Sequence, residues 1–284
     1  MLFRSVLHDV RSTFYADDSK IMIELTGLEA VNKLNQRAND AKQWATENSM
    51  TFSAGKSAFI QYGQTDLQYE VLLGDELITR EPAVTDLGVV YDEKLTFREH
   101  IKKVKKKAAI TIHMFKDTFR SRDTDLMKTY YRMHLKPVVG YASQVWMRYD
   151  KVTIDALDSI DRRFWKCSPT QRGQIPPGIR SLSQEMLMND LRLAKDIYDQ
   201  RVAVDWNAIF RRVQHPRSTR ANTRNDLLIP GYSRNPARHV YSRRTPRLLN
   251  LMGTEKLDLP RAAFIKEAEI FAQQIDFTQL IAMC

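Results

Sequence analysis

Cysteine is nearly absent: 284 residues carry two, Cys167 and Cys284. Two thiols build no disulfide framework, so the fold has to be held by packing. The start at Met1 lacks the form of a secretory signal. With so few cysteines, this points to a reducing, intracellular setting, nucleus or cytoplasm, rather than secretion. Apolar runs are also short. None reaches the ~18 residues of a membrane span, so no membrane partner is expected. The two cysteines and six histidines lack finger or knuckle spacing, and no structural zinc is expected. Cys167 reads as a buried or half-buried thiol.

Basic residues are scarce in the first third and abundant after it. Residues 1–97 hold nine Lys and Arg against fifteen Asp and Glu, a balance of −6, whereas the remainder holds 35 against 19, or +16. A formal net charge of +10 thus hides two electrostatically different parts. Segregation of this kind favours a polyanionic partner over charge kept only for solubility. With 43% hydrophobic residues, the chain can bury a substantial core in more than one structural unit.

The acidic part carries the sharpest motif. Ser12, Thr13 and Phe14 lead into Tyr15-Ala16-Asp17-Asp18, and Ile21, Met22 and Ile23 follow. That alternation predicts a strand, a tight acidic turn and a returning strand. Two adjacent carboxylates at a hairpin tip suit a hard, oxygen-seeking cation such as Mg²⁺, the ion of phosphoryl transfer. An ordinary polar turn, in which Asp serves local hydrogen bonds, is the alternative at this point.

Downstream, Thr26-Gly27-Leu28-Glu29 has capping-box spacing, and Leu28, Val31, Leu34, Ala38, Ala41 and Ala45 recur at helical intervals. That helix is expected to run to Met50, to pack on the sheet bearing the hairpin, and to contribute Trp44 to the core. Residues 57–92 read as short strands, with Gly74-Asp75 as a two-residue turn and Gly88 inside a later strand. Thr96-Phe97-Arg98-Glu99 is a second capping box. The helix after it buries Ile101, Val104, Ala108, Ile112, Phe115 and Phe119, leaving Lys102, Lys103, Lys105, Lys106 and Lys107 outside. Those lysines are either a solvated face or phosphate contacts along a duplex. Pro137 is expected to break the helical stretch from Asp123 to Trp146. Ile154, Leu157, Ile160 and Phe164 define another buried stripe, and Ser181-Leu182-Ser183-Gln184 caps a helix to about Arg212. Residues 213–247, with Arg217, Arg220, Arg224, Arg234, Arg238, Arg243, Arg244 and Arg247, read as a flexible basic arm. Pro260 then opens a short amphipathic helix bearing Phe264, Ala268, Phe271 and Ile275.

In order along the chain, the Tyr15–Asp18 hairpin, Ser53-Ala54-Gly55-Lys56, Asp86-Leu87-Gly88-Val89, Leu95–Ile101, Tyr130–Pro137, Tyr141–Trp146 and Ile154–Phe164 resemble the reverse transcriptases of non-LTR, LINE-like retrotransposons. The likeness spans roughly residues 1–212 and weakens beyond. It implies an α+β fold: a partial polymerase palm at 1–97, a small antiparallel sheet with a packed helix. A helical thumb would occupy 98–212, a basic arm 213–259 and a short terminal helix 260–284. It also implies an RNA-directed DNA polymerase, a nucleotidyltransferase that uses Mg²⁺ on an RNA template and a DNA primer. By the same resemblance, Asp17 ligates metal with Asp18 in the same cluster, and Lys56 is a proton donor to pyrophosphate. Tyr15 would pack under the primer terminus, Leu87 and Gly88 would line the floor beneath it, and the five lysines would follow the duplex. The family places its first metal-binding aspartate on an earlier strand, yet sixteen residues precede Asp17 and the sole upstream acid, Asp9, matches no ligand. Two ions about 3.5–4 Å apart need ligands beyond one hairpin. The expectation is therefore a C-terminal polymerase portion, inactive alone, with N-terminal polymerase and endonuclease regions missing. A non-catalytic nucleic-acid-binding module and a decayed, inactive remnant stand as the other two readings.

Overall fold

The computed structural model describes residues 11–63, 67–212, 226–228 and 240–283. It is a mixed α+β chain in two compact units, Met1–Thr96 and Phe97–Cys284.

In the first unit, β1 (Arg11–Tyr15) and β2 (Asp18–Met22) form the expected hairpin. Helix α1 spans Leu28–Glu47 and buries Ala30, Val31, Ala38, Ala41 and Ala45. Several details depart from the sequence reading, the first being that the helix ends at Glu47, short of Met50. Leu28 is 55% exposed, and no side chain caps the helix, which begins after Gly27. Trp44 is half-buried. What α1 packs on is the segment around β4 (Leu72–Leu73) rather than the hairpin's own sheet. Polar side chains fix that packing. Leu72 N–H donates to Asn35 Oδ1 at 3.0 Å and Gly74 N–H to Asn39 Oδ1 at 2.7 Å, while Lys42 Nζ reaches Leu73 O at 3.3 Å. Backbone groups of a short edge strand need such partners when no neighbouring strand supplies them.

Among the described residues, the small sheet expected here is divided into four two-stranded pairs. After β1–β2 come β3 (Ala58–Phe59) with β6 (Thr79–Arg80) in parallel, β4 with β5 (Glu76–Leu77), and β7 (Ala83–Asp86) with β8 (Val89–Asp92). β3, β4, β5 and β6 hold two residues each, well below the roughly five to six of an ordinary strand, and offer few ladder groups to a further neighbour. Gly74-Asp75 forms the expected turn, with Gly74 at φ 68. Leu87 and Gly88 are a correction: they are the turn between β7 and β8, with φ 44 and φ 84, not part of a strand. Two consecutive positive φ values are what a tight two-residue hairpin of right-handed twist demands.

The second unit is helical. α2 (Arg98–Thr118) buries Ile101, Val104, Ala108, Ile112 and Phe115, and Phe119 just past its end is half-buried. The Thr96 capping box does not form. Asp92 engages Thr96 instead, accepting from its N–H at 2.9 Å and its hydroxyl at 3.1 Å, and Phe97 at φ 55 precedes the helix. α3 (Thr124–Tyr130), a π turn (Tyr131–Leu135) and α4 (Lys136–Gly140) follow without a break. Pro137 therefore does not end the helix. The π turn shifts the hydrogen-bond register just before the ring, which lets the chain continue where a regular turn would clash. The interruption falls at Tyr141-Ala142, with Ala142 at φ 50, before α5 (Ser143–Trp146).

α6 (Lys151–Trp165) buries Ile154, Leu157, Ile160 and Phe164 as expected. Phe164 meets Phe115 at 5.6 Å between ring centroids. α7 (Leu182–Tyr198) begins with the Ser181–Gln184 capping box and ends at Tyr198, short of Arg212. It is the hub of the unit, packed by α4, α5, α6, α9 (Tyr241–Met252) and α10 (Arg261–Gln274). Leu182, Met186, Leu187, Met188, Leu191 and Ala194 on different faces are fully buried, the pattern of a helix enclosed by others. Phe264 and Ala268 of α10 are buried against it, with Phe271 and Ile275 half-buried. α11 (Phe277–Met283) ends the described chain.

α9 corrects the flexible arm. Residues 241–252 are helix, and Arg244 is 1% exposed, held by Asp190 of α7 at 2.8 and 2.9 Å. Tyr149 donates to the same carboxylate at 3.0 Å, and Arg244 also donates to Gln144 O at 2.8 Å. A buried arginine with its charge answered and its donors filled is a core element, not a free cation. Arg247 is buried and Arg243 half-buried. Arg217, Arg220, Arg224, Arg234 and Arg238 lie outside the described residues, as does Asp9.

Candidate functional site

The hairpin register pairs Tyr15 with Asp18 across the turn Ala16-Asp17. Tyr15, Asp17 and Asp18 are all exposed, Tyr15 at 66%. Ala16 sits at φ 52, a left-handed conformation that is strained for a side chain with a Cβ. The fold thus pushes both carboxylates to the tip at a conformational cost. Cross-strand partners share a face, as do residues two apart. Tyr15, Asp18 and Lys20 therefore line one side of the hairpin.

That side meets the β7–β8 hairpin. Lys20 forms an ion pair with Asp86 and lies 5.6 Å from the Tyr91 ring centroid. Tyr62 is pushed up to about 12, first by partial burial and then by Tyr91, Asp86 and Asp92. Tyr91 is raised too, by burial and by Asp86. The Tyr91 phenol and the Lys20–Asp86 ion pair therefore border the face carrying Asp18, with Tyr62 near Tyr91 and Asp86. Sequence pattern marks neither Lys20 nor Asp86 as a partner of the other. The signal it holds is slight: an acid opens the Asp86-Leu87-Gly88 motif, and a lysine lies two residues past Asp18.

Lys56 closes a short 3₁₀ turn, Ala54–Lys56, and is exposed. Among the described residues, no hydrogen bond or ion pair joins it to Asp17 or Asp18. Leu87 is 44% exposed at the β7–β8 turn. Groups of three or more His, Cys, Asp and Glu poised to hold a metal are absent among the described residues.

The helical unit carries the lysines by itself. Lys102, Lys105, Lys106 and Lys107 are exposed on α2 and Lys103 is half-buried. Lys102 pairs with Glu99 at 2.7 Å, while Lys105, Lys106 and Lys107 make no ion pair among the described residues. On the same helix His100 is buried against Trp146, at 5.4 Å between rings. Its pKa is lowered to about 4, mainly by burial and further by Lys103 and Lys107. No helix among the described residues is long and apolar enough to cross a membrane. Cys167 is half-buried, its thiol 3.7 Å from Arg163 O.

No family model, curated protein or solved structure matches this chain.

Proposed function

We propose that the chain is the palm-hairpin and thumb portion of an RNA-directed DNA polymerase of the non-LTR retrotransposon kind. In this reading the helical unit grips an RNA template paired with a DNA primer, and the hairpin offers Asp17 and Asp18 to Mg²⁺. The observation that carries it is the hairpin tip, where the strained Ala16-Asp17 turn sets Asp17 beside Asp18, the first residue of β2, with both side chains exposed. Mg²⁺ is commonly bound by one or two carboxylates together with substrate phosphates, and this pair fits that donor set. When bound, the ion would acidify a primer 3′ hydroxyl and neutralise departing pyrophosphate. Tyr15, on the face shared with Asp18, would pack against the primer end. The α2 lysines would neutralise phosphates without reading sequence.

A second reading is a nucleic-acid-binding module without catalysis. It is favoured by the exposed lysine face of α2, which does not depend on the hairpin. Two measurements on the intact chain separate the readings. Affinity for an RNA–DNA primer–template should fall steeply with salt. Neutralising Lys102, Lys103, Lys106 and Lys107 together should flatten the slope by up to ~0.9 for each phosphate they no longer neutralise. Paramagnetic Mn²⁺, standing in for Mg²⁺, should broaden amide signals around Asp17 and cease to do so in Asp17→Asn. Salt-sensitive binding without Mn²⁺ broadening leaves only the module. Salt-insensitive binding eliminates both.

A further inference from the structure

The second unit contains a cavity of about 760 Å³ lined chiefly by Tyr198, Trp206, Asn207, Phe210, Arg211 and Arg212. That lies within the ~300–1,000 Å³ typical of small-ligand sites. Its walls are built rather than incidental. α8 (Trp206–Ile209) is capped by Asp205, which accepts from Asn207 N–H at 3.0 Å. Arg212 bridges to Leu227, whose N–H and C=O are both held by the Asn250 side chain at 2.9 Å. Phe210, fully buried, seals the base. Trp206 packs on it at 4.3 Å between centroids and meets Tyr198 edge-on at 5.0 Å. Asn207, Arg211 and Arg212 are exposed, and neither arginine pairs with a carboxylate among the described residues. Tyr198 OH donates to Asp258 at 2.5 Å and accepts from the Arg212 side chain, which steadies that guanidinium at the pocket.

An aromatic wall, a side-chain amide and two cations on successive residues make a specific chemical demand. The ligand must have a flat π face, hydrogen-bonding edges and negative charge. Side chains of successive residues in an extended segment diverge. Two phosphates one nucleotide apart therefore satisfy Arg211 and Arg212 better than a single terminal phosphate does. We propose that this pocket takes an unpaired base of single-stranded nucleic acid. The base stacks on Trp206, Asn207 meets its edge, and Arg211 and Arg212 hold the flanking phosphates. The inference goes beyond the polymerase reading and holds whether or not the hairpin binds metal.

The test is a fluorescence titration of the intact chain with an oligouridylate of about eight nucleotides, its DNA counterpart, and an abasic oligomer of equal length and charge. Either base-bearing strand should quench emission and bind roughly tenfold or more tightly than the abasic one, as removal of base stacking implies. Trp206→Leu, which keeps apolar packing on Phe210, should erase that ratio. The double change Arg211→Gln/Arg212→Gln lies on exposed side chains and tests the pocket even if the leucine variant unfolds. It should weaken all three oligomers and reduce the salt slope by about 0.7 for each phosphate no longer neutralised. Equal affinity for the abasic strand means polyanion binding only and overturns the proposal, as does a base preference that survives Trp206→Leu. Neither failure touches primer–template binding or Mn²⁺ broadening at the hairpin, so the two proposals fail separately.

Discussion

Arg244→Met isolates the ion pair that docks α9 onto α7. The native pair is fully buried, with two short hydrogen bonds to Asp190 and a further donor placed on a backbone carbonyl. Removing the guanidinium leaves Asp190 buried with the Tyr149 hydroxyl but without a counter-charge. Breaking one side of such a pair costs about 3–5 kcal/mol, more than a missing methylene or an exposed ion pair would. Replacing both partners, as in Asp190→Leu/Arg244→Met, removes the stranded charge and should recover most of that deficit. Urea unfolding followed by tryptophan emission reads this unit directly, because Trp146 and Trp165 are buried within it. A single-variant deficit below about 1 kcal/mol, or a double variant no better than either single, would refute the view that this pair anchors the helix.

Leu87→Asn should stabilise the first unit by roughly 0.5–1 kcal/mol, because Asn tolerates the φ of 44 that strains Leu and Asn-Gly suits such a turn; thermal melting checks the sign. Phe164→Ala removes a fully buried ring that touches Phe115 and Tyr131 and should cost about 3–5 kcal/mol in the same urea assay. His100, at about 4 when folded against an ordinary 6.5, stays neutral in the fold. Its contribution disappears as pH falls from 6.5 towards 4, because the unfolded chain takes up the proton first. Asp161 runs the other way. Burial raises it to about 7, against hydrogen bonds from Tyr131 and Leu182 that favour the carboxylate. The folded state therefore holds its proton, and stability drains as pH rises from 3.8 to about 7. Asp161→Asn should lack that drain, so the stability difference shifts in the variant's favour by a few kcal/mol across the window. A parallel pH profile for the two proteins would refute the assignment.

Local pattern made the helical stripes legible. Ile101, Val104, Ala108, Ile112 and Phe115 recur at helical spacing and are buried as a set, and Ile154, Leu157, Ile160 and Phe164 do the same. Ser181 and Gln184 cap α7 reciprocally, because a capping box needs only residues three apart. The Tyr15–Asp18 hairpin was equally readable, since its strands and its turn lie within twelve residues. The spacing of Thr26 and Thr96 looked alike, yet neither forms a box. In the case of Thr96, the hydroxyl found Asp92, a competitor the local motif does not contain.

The amino-acid sequence by itself determined the buried stripes of α2 and α6, the start of α7 and the acidic hairpin, because these are set by short-range periodicity and turn chemistry, whereas α9 and the passage through Pro137 were not legible there. The partition of the arginines belonged to tertiary structure: Arg244 became core, while Arg211 and Arg212 stayed exposed beside a cavity. So did the meeting of Lys20 with Asp86 and the gathering of Tyr198, Trp206 and Phe210 around one pocket. Composition assigns all these charges the same character. Only the packing of distant segments fixes which are desolvated and paired and which remain open to a ligand, since desolvation depends on neighbours that sequence distance does not reveal.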